Sequence, residues 1–376
     1  MTSETVAVLG LGYVGLPLAI ALAKHMHVIG YDANQKKIAL LKQGTDYTGD
    51  IGDDAIKNST MTPTSDPENL KKASAIIVAV PTPVTRYKVP NLEAIISAGT
   101  VIGKNLQKGT VVVLESTVYP GATEEVFAQA IQRQTQLQRR TDWFLGYSPE
   151  RINPGDHEHT LASVVKVIAG ETPEVTERMA QIYAKVCLAG LHRAPSIKVA
   201  EMAKVIENTQ RDLNIALVNE LSQIASREGI DIKDVLDAAG TKWNFGRYTP
   251  GLVGGHCLPE DPYYLALRAI SKGIIPRIIL AGRQVNDAMP SEVVKYIIKG
   301  FNQAGKVPRE STLAILGLTF KENVNDYRHS GAKDVIAGLN EYAVKQMGCD
   351  PYLSNDAVLR EFGISSFKDS IGFPSF

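Results

Sequence analysis

The sequence has little cysteine and no excess of either charge, and each shortage excludes something. Cys187, Cys257 and Cys349 are the three cysteines in 376 residues. An odd count at wide spacing argues against a disulfide framework and for reduced thiols in a cytoplasmic setting. None belongs to a CxxC pair, so no metal site is expected. Lys and Arg total 40, matched by 40 Asp and Glu, for a formal net charge of zero. Such a chain has no electrostatic footprint for nucleic acid or for an anionic membrane, and neither partner is expected. An anionic ligand would need a local site. No run approaches the roughly 18 apolar residues of a spanning helix, and no charged leader followed by an apolar segment opens the chain. The apolar fraction is 44%, ordinary for a globular protein, and the length calls for two or three domains.

Short β-branched runs, TVAVLG, VIGYD, AIIVAV, TVVVLEST and WFLGYSPE, punctuate the first part of the chain. Helical patterns such as LPLAIALAKH and NLEAIISAGTVIGKNL fall between them. That alternation predicts βαβ units on a parallel sheet, a doubly wound α/β domain over residues 1–190. From Ile197 to Arg227 there is neither Gly nor Pro, which predicts one long helix. Further helices are predicted at Ile232–Ala238, Tyr264–Ile270 and Ile278–Asp287, giving an all-helical middle over 191–304. After Pro308 the strand pattern returns, and TLAILGLTFKEN echoes TVAVLGLGYVG as a weak internal repeat. The last segment, 305–376, reads as a short second Rossmann-like domain that lacks the third glycine of the motif and looks truncated.

Gly10-Leu11-Gly12-Tyr13-Val14-Gly15 is a GxGxxG between a predicted strand and a predicted helix. Asp32 closes the next strand, 17 residues after Gly15 (32 − 15). In that context the glycines allow a tight turn and bring a pyrophosphate to a helix N-terminus. Asp32 would accept from the adenosine ribose hydroxyls, which favours NAD over NADP, and Lys37 nearby would partly offset that preference. Pro81 and Thr82 follow one strand and Thr117 another, where open α/β sheets bind ligands. The competing readings are a glycine turn without a ligand and ordinary loop chemistry.

On the long helix, Lys204, Asn208 and Arg211 are spaced i, i+4, i+7, which puts two cations and an amide on one face. Such a face is often only solvated, but the combination suits an oxyanionic ligand. PGLVGGHCLPEDPYY packs three glycines and three prolines around Cys257. Gly254 and Gly255 let backbone approach closely. Cys257 reads as a nucleophile or as a buried small hydrophobe, and local composition does not decide. Asp261 would activate water or support Lys204. His256 is adjacent to the thiol, but neighbouring side chains often point apart, so no base role is assigned to it. A hydride acceptor together with a nucleophilic thiol suggests oxidation of an alcohol through an aldehyde to an acid, by way of a thiohemiacetal and a thioester.

These stretches, with VPTPV, ESTVYPG, GYSPERINPG and SIKVAEMAKVIENTQRDLNIALVNEL, resemble the nucleotide-sugar 6-dehydrogenases, the family of UDP-glucose and UDP-N-acetylhexosamine dehydrogenases. SPERINPG and KWNF…PGLVGGHC are most similar to the Vi-antigen-type subgroup, which acts on UDP-N-acetylglucosamine or UDP-N-acetylgalactosamine in surface-polysaccharide synthesis. The resemblance implies Cys257 as nucleophile and Lys204 as oxyanion stabiliser, with Asn208 beside it. It implies Asp261 and Thr117 as holders of water, and Glu150 as a loop residue that assists thioester hydrolysis. Glu150, Arg151, Ile152, Lys204, Asn208, Arg211, Arg247, Gly254, Lys321 and Arg328 match substrate positions, the last two completing a UDP pocket. NAD, a UDP-sugar and a homodimer joined by the long helix are the implied partners. Leu258-Pro259-Glu260 and Phe245-Gly246-Arg247-Tyr248 depart from the subgroup pattern beside the expected sugar pocket. The alternatives are a UDP-glucose dehydrogenase, a two-electron hydroxyacid dehydrogenase, which needs no cysteine, and an inactive NAD-binding relative.

Overall fold

The structure, a computed structural model, describes residues 4–152 and 158–367. Residues 153–155 of the SPERINPG run and the stretch from 368 onward lie outside the described residues. The chain divides into two compact units, Met1–Glu207 with Tyr263–Arg268, and Asn208–Pro262 with Ala269–Phe376.

The first unit holds β1 (Thr5–Leu9), α1 (Gly15–Ala23), β2 (His27–Tyr31), α2 (Gln35–Lys42), α3 (Asp53–Lys57), β3 (Thr62–Thr64), β4 (Ala75–Val78) and α4 (Glu93–Asn105). It continues with β5 (Thr110–Leu114), α5 (Ala128–Gln132), β6 (Trp143–Tyr147), β7 (Lys166–Gly170), α6 (Pro173–Tyr183) and β8 (Leu191–Arg193). The eight strands lie in the order β3-β2-β1-β4-β5-β6-β7-β8. All neighbours are parallel except β6 and β7. β4 and β5 are buried along their whole length, as continuous apolar strands covered on both faces must be. Alternate residues feed two cores: Ala7, Leu9, Ile76 and Val78 on one face, Val6, Val8, Ile77 and Val28 on the other. The strand order reverses between β1 and β4, which opens the crevice at the carboxyl ends where such sheets take ligands. This is the expected doubly wound domain. β3, β7 and β8 were not expected from the sequence. β3 and β8 are three-residue strands, and β7 opens on a lysine.

α7 (Ile197–Glu228) runs from the first unit into the second. The second unit adds α8 (Ile232–Ala239), ends of α9 (Asp261–Ser271), and α10 (Arg277–Gln303). The helix predicted to close at Asp287 continues for another 16 residues (303 − 287). Proline removes the bond to the carbonyl four residues earlier and crowds it. Pro290 is nevertheless inside α10, because burial of Arg283, Asn286, Met289 and Val294 holds the helix on both sides of it. Beyond it come β9 (Thr312–Leu316), α11 (Gly331–Asn340), β10 (Lys345–Cys349), α12 (Asn355–Phe362) and β11 (Ser365–Ser366), with the sheet order β11-β10-β9. The internal repeat is real in structure. Gly10 and Gly317 both turn at positive φ, +92° and +84°. Asp32 accepts from the Leu11 amide at 3.0 Å, and Asp350 accepts from the Leu318 amide at 2.8 Å.

Candidate active site

In the first unit the glycines do what their spacing predicts. A Cβ on Gly10 would meet the Ala79 carbonyl oxygen at 2.5 Å, and one on Gly15 would meet the Gly10 oxygen at 1.9 Å. Gly12 borders open space. α1 starts at Gly15 without a side-chain cap and without an acid in its first turn, so nothing anionic from the chain competes for that end. Val14 precedes the helix, and Tyr13 is 44% exposed. The Asp32 carboxylate accepts from the Leu11 and Asn34 amides and lies 3.6 Å from the Lys37 ammonium. Tyr47, which sequence reasoning missed, donates its hydroxyl to the Leu11 carbonyl and has Lys37 over its ring at 5.4 Å. Burial pushes its phenol up. The shape that only glycine permits, the uncapped helix end and the acid at the second strand fit NAD.

The loops after β4 and β5 are tied together. The Thr82 hydroxyl donates to the Thr117 carbonyl at 2.8 Å, and the Val80 amide donates to the Ser116 hydroxyl at 3.1 Å. Tyr264, wholly buried, donates to the Thr82 carbonyl at 2.6 Å. Pro81 is exposed between them. Farther along the β5 loop, the Gly121 and Thr123 amides donate to buried Glu201 at 2.5 and 2.8 Å. Burial pushes the Glu201 carboxyl up to about 7.

Glu150 follows β6 and is bound into its own loop. Its Oε1 accepts from the amides of Arg151 and Ile152, both at 2.7 Å, and its Oε2 lies 2.9 Å from the Lys166 ammonium. Burial alone would raise this carboxyl, but Lys166 and the two amides hold it below its ordinary value. Lys166 also lies 3.3 Å from Glu115, whose Oε1 accepts from the Tyr183 hydroxyl at 2.5 Å. The two carboxylates overcome burial and push the ammonium's pKa up. Arg151 donates to the Val165 carbonyl at 3.0 Å and pairs with Glu207. Lys204 is half-buried one turn before Asn208 on α7. Sequence reasoning missed Lys166, because nothing local marks a strand's first lysine as buried.

The second unit carries the thiol. Cys257 is exposed and in no disulfide, so the buried-hydrophobe alternative falls. Its carbonyl accepts from the Glu260 and Asp261 amides at 3.3 and 2.9 Å, which fixes the turn that presents it. The Asn208 amide donates to Asp261 Oδ2 at 2.5 Å, so these two predicted residues do meet. At the base of the loop, Asn219 clamps Gly251. Its Nδ2 donates to the Gly251 carbonyl at 3.0 Å, and its Oδ1 accepts the Gly251 amide at 2.8 Å. Behind Asn219 stand Asn286, Asp212 and Arg283, all buried.

The glycines of this loop are crowded by the chain itself. A Cβ on Gly254 would meet the His329 carbonyl oxygen at 2.7 Å and Phe320 Cβ at 2.9 Å. One on Gly255, at φ +80°, would meet the Phe320 ring at 2.9 Å. Within the chain, the close approach that they permit is to Phe320 and His329. His256 stands edge-on to His329 with ring centroids 5.3 Å apart. Burial, then the Arg328 charge, lowers its imidazole to about 4. Arg328 donates through Nε and Nη2 to the two oxygens of Asp326, at 2.9 and 2.8 Å. Lys321 lies over the Phe320 ring at 5.8 Å. Arg211 and Arg247 line one cavity of about 680 Å³ with Phe245, Tyr248 and Lys233.

The doubly wound sheet, its glycine cradle and the acid at the second strand define a dinucleotide-binding protein of the NAD type. Three family models match in series: the NAD binding domain of the UDP-glucose/GDP-mannose dehydrogenase family over residues 4–187, its central domain over 198–288 and its UDP binding domain over 314–371. The chain is 48% identical to UDP-N-acetyl-D-glucosamine 6-dehydrogenase of Pseudomonas aeruginosa, covering 100% of this chain and 88% of that one. It is 46% identical to the enzyme of the same name from Salmonella typhi, over 96% and 85%. Among solved structures, UDP-D-ManNAc dehydrogenase of Pyrococcus horikoshii superposes with a TM-score of 0.87 at 30% identity, over 93% and 84%. The chain belongs to the UDP-glucose/GDP-mannose dehydrogenase family and is an NAD-dependent nucleotide-sugar dehydrogenase. Among the described residues no helix is long and apolar enough to cross a membrane.

Proposed function

We propose that the protein oxidises the 6-hydroxymethyl group of a UDP-N-acetylhexosamine to the uronic acid in surface-polysaccharide synthesis. The observation that carries the acid as product is an exposed thiol on a turn pinned by two amides. The sugar is inferred from the relatives named for UDP-N-acetyl-D-glucosamine, at 46% and 48% identity. Residues 1–190 serve the cofactor, 191–304 carry catalysis and dimerisation, and 305–376 hold UDP.

NAD, held by Gly10, Gly12, Tyr13, Val14, Gly15, Asp32 and Lys37 with Pro81, Thr82 and Thr117, supplies the hydride acceptor for both oxidations. The chain's own groups do the rest. Cys257 adds to the aldehyde carbon, and Lys204 with Asn208 stabilises the oxyanion of the resulting thiohemiacetal. Loss of a second hydride leaves a thioester. Water held by Asp261 and Thr117, with Glu150 assisting, attacks it, and the C–S bond breaks to return the thiol. The balance is one alcohol, two NAD⁺ and one water giving one carboxylate, two NADH and three protons. Arg151, Ile152, Arg211, Arg247 and Gly254 belong to the substrate site, and Lys321 and Arg328 supply cations for the diphosphate. Val199, Met202, Ile206, Leu217, Leu221 and Ile224 form an exposed apolar series on α7, and they support a homodimer built on this helix.

The test is NADH formed per sugar consumed, with UDP-N-acetylglucosamine, UDP-N-acetylgalactosamine and UDP-glucose in turn, beside Cys257→Ser. Two NADH per sugar, abolished as a steady-state yield in the variant, is the expected result. One NADH per sugar, unchanged in the variant, refutes the thioester route.

A further inference from the structure

Glu260 sits where an acid is out of place. It follows the thiol by three residues, among Leu258, Pro259 and Pro262, and is only 4% exposed. Its Oε1 lies 3.5 Å from His329 Nε2. His329 adjoins Arg328 and adopts φ +51°, in the left-handed region. Its carbonyl lies against Gly254, and its ring meets His256. Phe320, next to Lys321, fills the space beside Gly254 and Gly255. The thiol loop therefore closes on the 320–329 segment at both ends, through glycines before Cys257 and through an acid after it. That segment carries both cations proposed for the diphosphate.

We propose that Glu260 and His329 are a positioning pair that makes the placement of Cys257 depend on occupancy of Lys321 and Arg328 by a diphosphate. The inference rests on the reading of those two cations given above. An ordered 326–329 turn fixes His329, His329 fixes Glu260, and the Glu260 amide helps to fix the Cys257 carbonyl. The arrangement gives the enzyme a reason to hold its thiol productively only with nucleotide bound. Coupling between two sites has to be carried by such a contiguous element and is reciprocal in binding free energy.

The experiment follows alkylation of Cys257 by iodoacetamide on the full chain, read by peptide mass, with and without UDP. Cys187 and Cys349 are 2% and 1% exposed and serve as internal controls. In the parent protein UDP should change the Cys257 rate about fivefold or more. In His329→Ala and Glu260→Leu the change should fall below about twofold, with kcat reduced and KM for the nucleotide sugar nearly kept. His329→Gln, which keeps a side-chain donor, should restore part of both. The His329 side chain is 55% exposed, so its removal tests the pair without opening a buried cavity. UDP affinity is measured by calorimetry in parallel. UDP that binds the parent without altering the alkylation rate overturns the coupling and leaves the proposed function standing. So does a UDP effect that persists unchanged in both variants. Failure of UDP to bind the parent overturns the assignment of Lys321 and Arg328 and the coupling with it.

Discussion

Lys166→Met should be far more damaging than an ordinary lysine substitution, and its cost should depend on pH in a stated direction. Lys166 is 3% exposed and lies 2.9 Å from Glu150 and 3.3 Å from Glu115. At an effective dielectric near 20, each contact is worth roughly 5 kcal/mol of Coulomb energy. Much of this is offset by the desolvation of three buried groups. What the variant leaves is two buried carboxylates without their counter-ion, and such half-broken pairs cost about 3–5 kcal/mol. In the parent, Glu150 is held below its ordinary 4.5, so its contribution to stability is present above that value and is lost as pH falls through the folded pKa. Burial already raises the Glu115 carboxyl above 4.5 in the parent, against the pull of Lys166; without Lys166 it rises further, and Glu150 joins it above 4.5. The folded state then holds protons that the unfolded state has released, and stability is lost as pH rises, by about 1.4 kcal/mol per unit for each such proton. The deficit relative to the parent should be large at pH 8 and should narrow toward pH 4.5.

Urea denaturation across that pH range measures this directly. Glu150→Gln combined with Lys166→Met should recover part of the loss, because it removes one of the stranded charges, so the two substitutions are far from additive. A deficit that stays constant from pH 4.5 to 8 would mean that the damage is lost packing, and the electrostatic account of the Glu150 loop would be wrong.

Two further outcomes follow from single observations. Gly15→Ala places a Cβ 1.9 Å from the Gly10 carbonyl oxygen, backbone that cannot swing away, so it should cost at least ~2 kcal/mol and abolish NAD binding by fluorescence titration; normal NAD affinity would dismiss the cradle. Met202→Glu with Ile206→Glu puts charge into the exposed α7 series, two residues 46% and 45% exposed, and should shift the mass seen by light scattering from dimer to monomer. A parent that is already monomeric would remove α7 as an interface.

What the sequence made legible is what is local. The turn from β1 into α1 is set by glycines at fixed offsets, and its acid lies one strand away. α7 was readable to within one residue at its C-terminal end, because an uninterrupted run of helix formers needs no distant partner. What was not legible depends on partners far away in the chain. Lys166 and Glu150 are 16 residues apart, Asn219 and Gly251 are 32, and Glu260 and His329 are 69 (329 − 260). No periodicity marks these pairs. The continuation of α10 through Pro290 is the same case, since tertiary burial overrode the local rule. The glycines around Cys257 were read as points of close approach, and the structure adds Phe320 and His329 as neighbours that no local signal named. Gly254 reports the need for space without naming Phe320 as its occupant.

These distant pairs share a logic. Buried ionic pairs are a poor way to gain stability, since apolar residues of similar size commonly do as well or better. Yet this chain buries Lys166 with Glu115 and Glu150, Glu201 against two amides, Arg283 with Asp212, and Glu260 beside His329. Each of them ends on a loop. Glu150 gathers the amides of Arg151 and Ile152, and Glu201 fixes the turn after Thr117. Arg283 and Asp212 back Asn286, which backs Asn219 and its clamp on Gly251. Apolar packing can hold a loop near a surface, but it cannot choose among orientations of a peptide plane. A hydrogen-bonded carboxylate or carboxamide can, because it fixes which amide or carbonyl faces it and at what angle. The stability spent on burying these charges thus goes into orienting the loops proposed to carry the reacting groups, which have to be held to a fraction of an ångström.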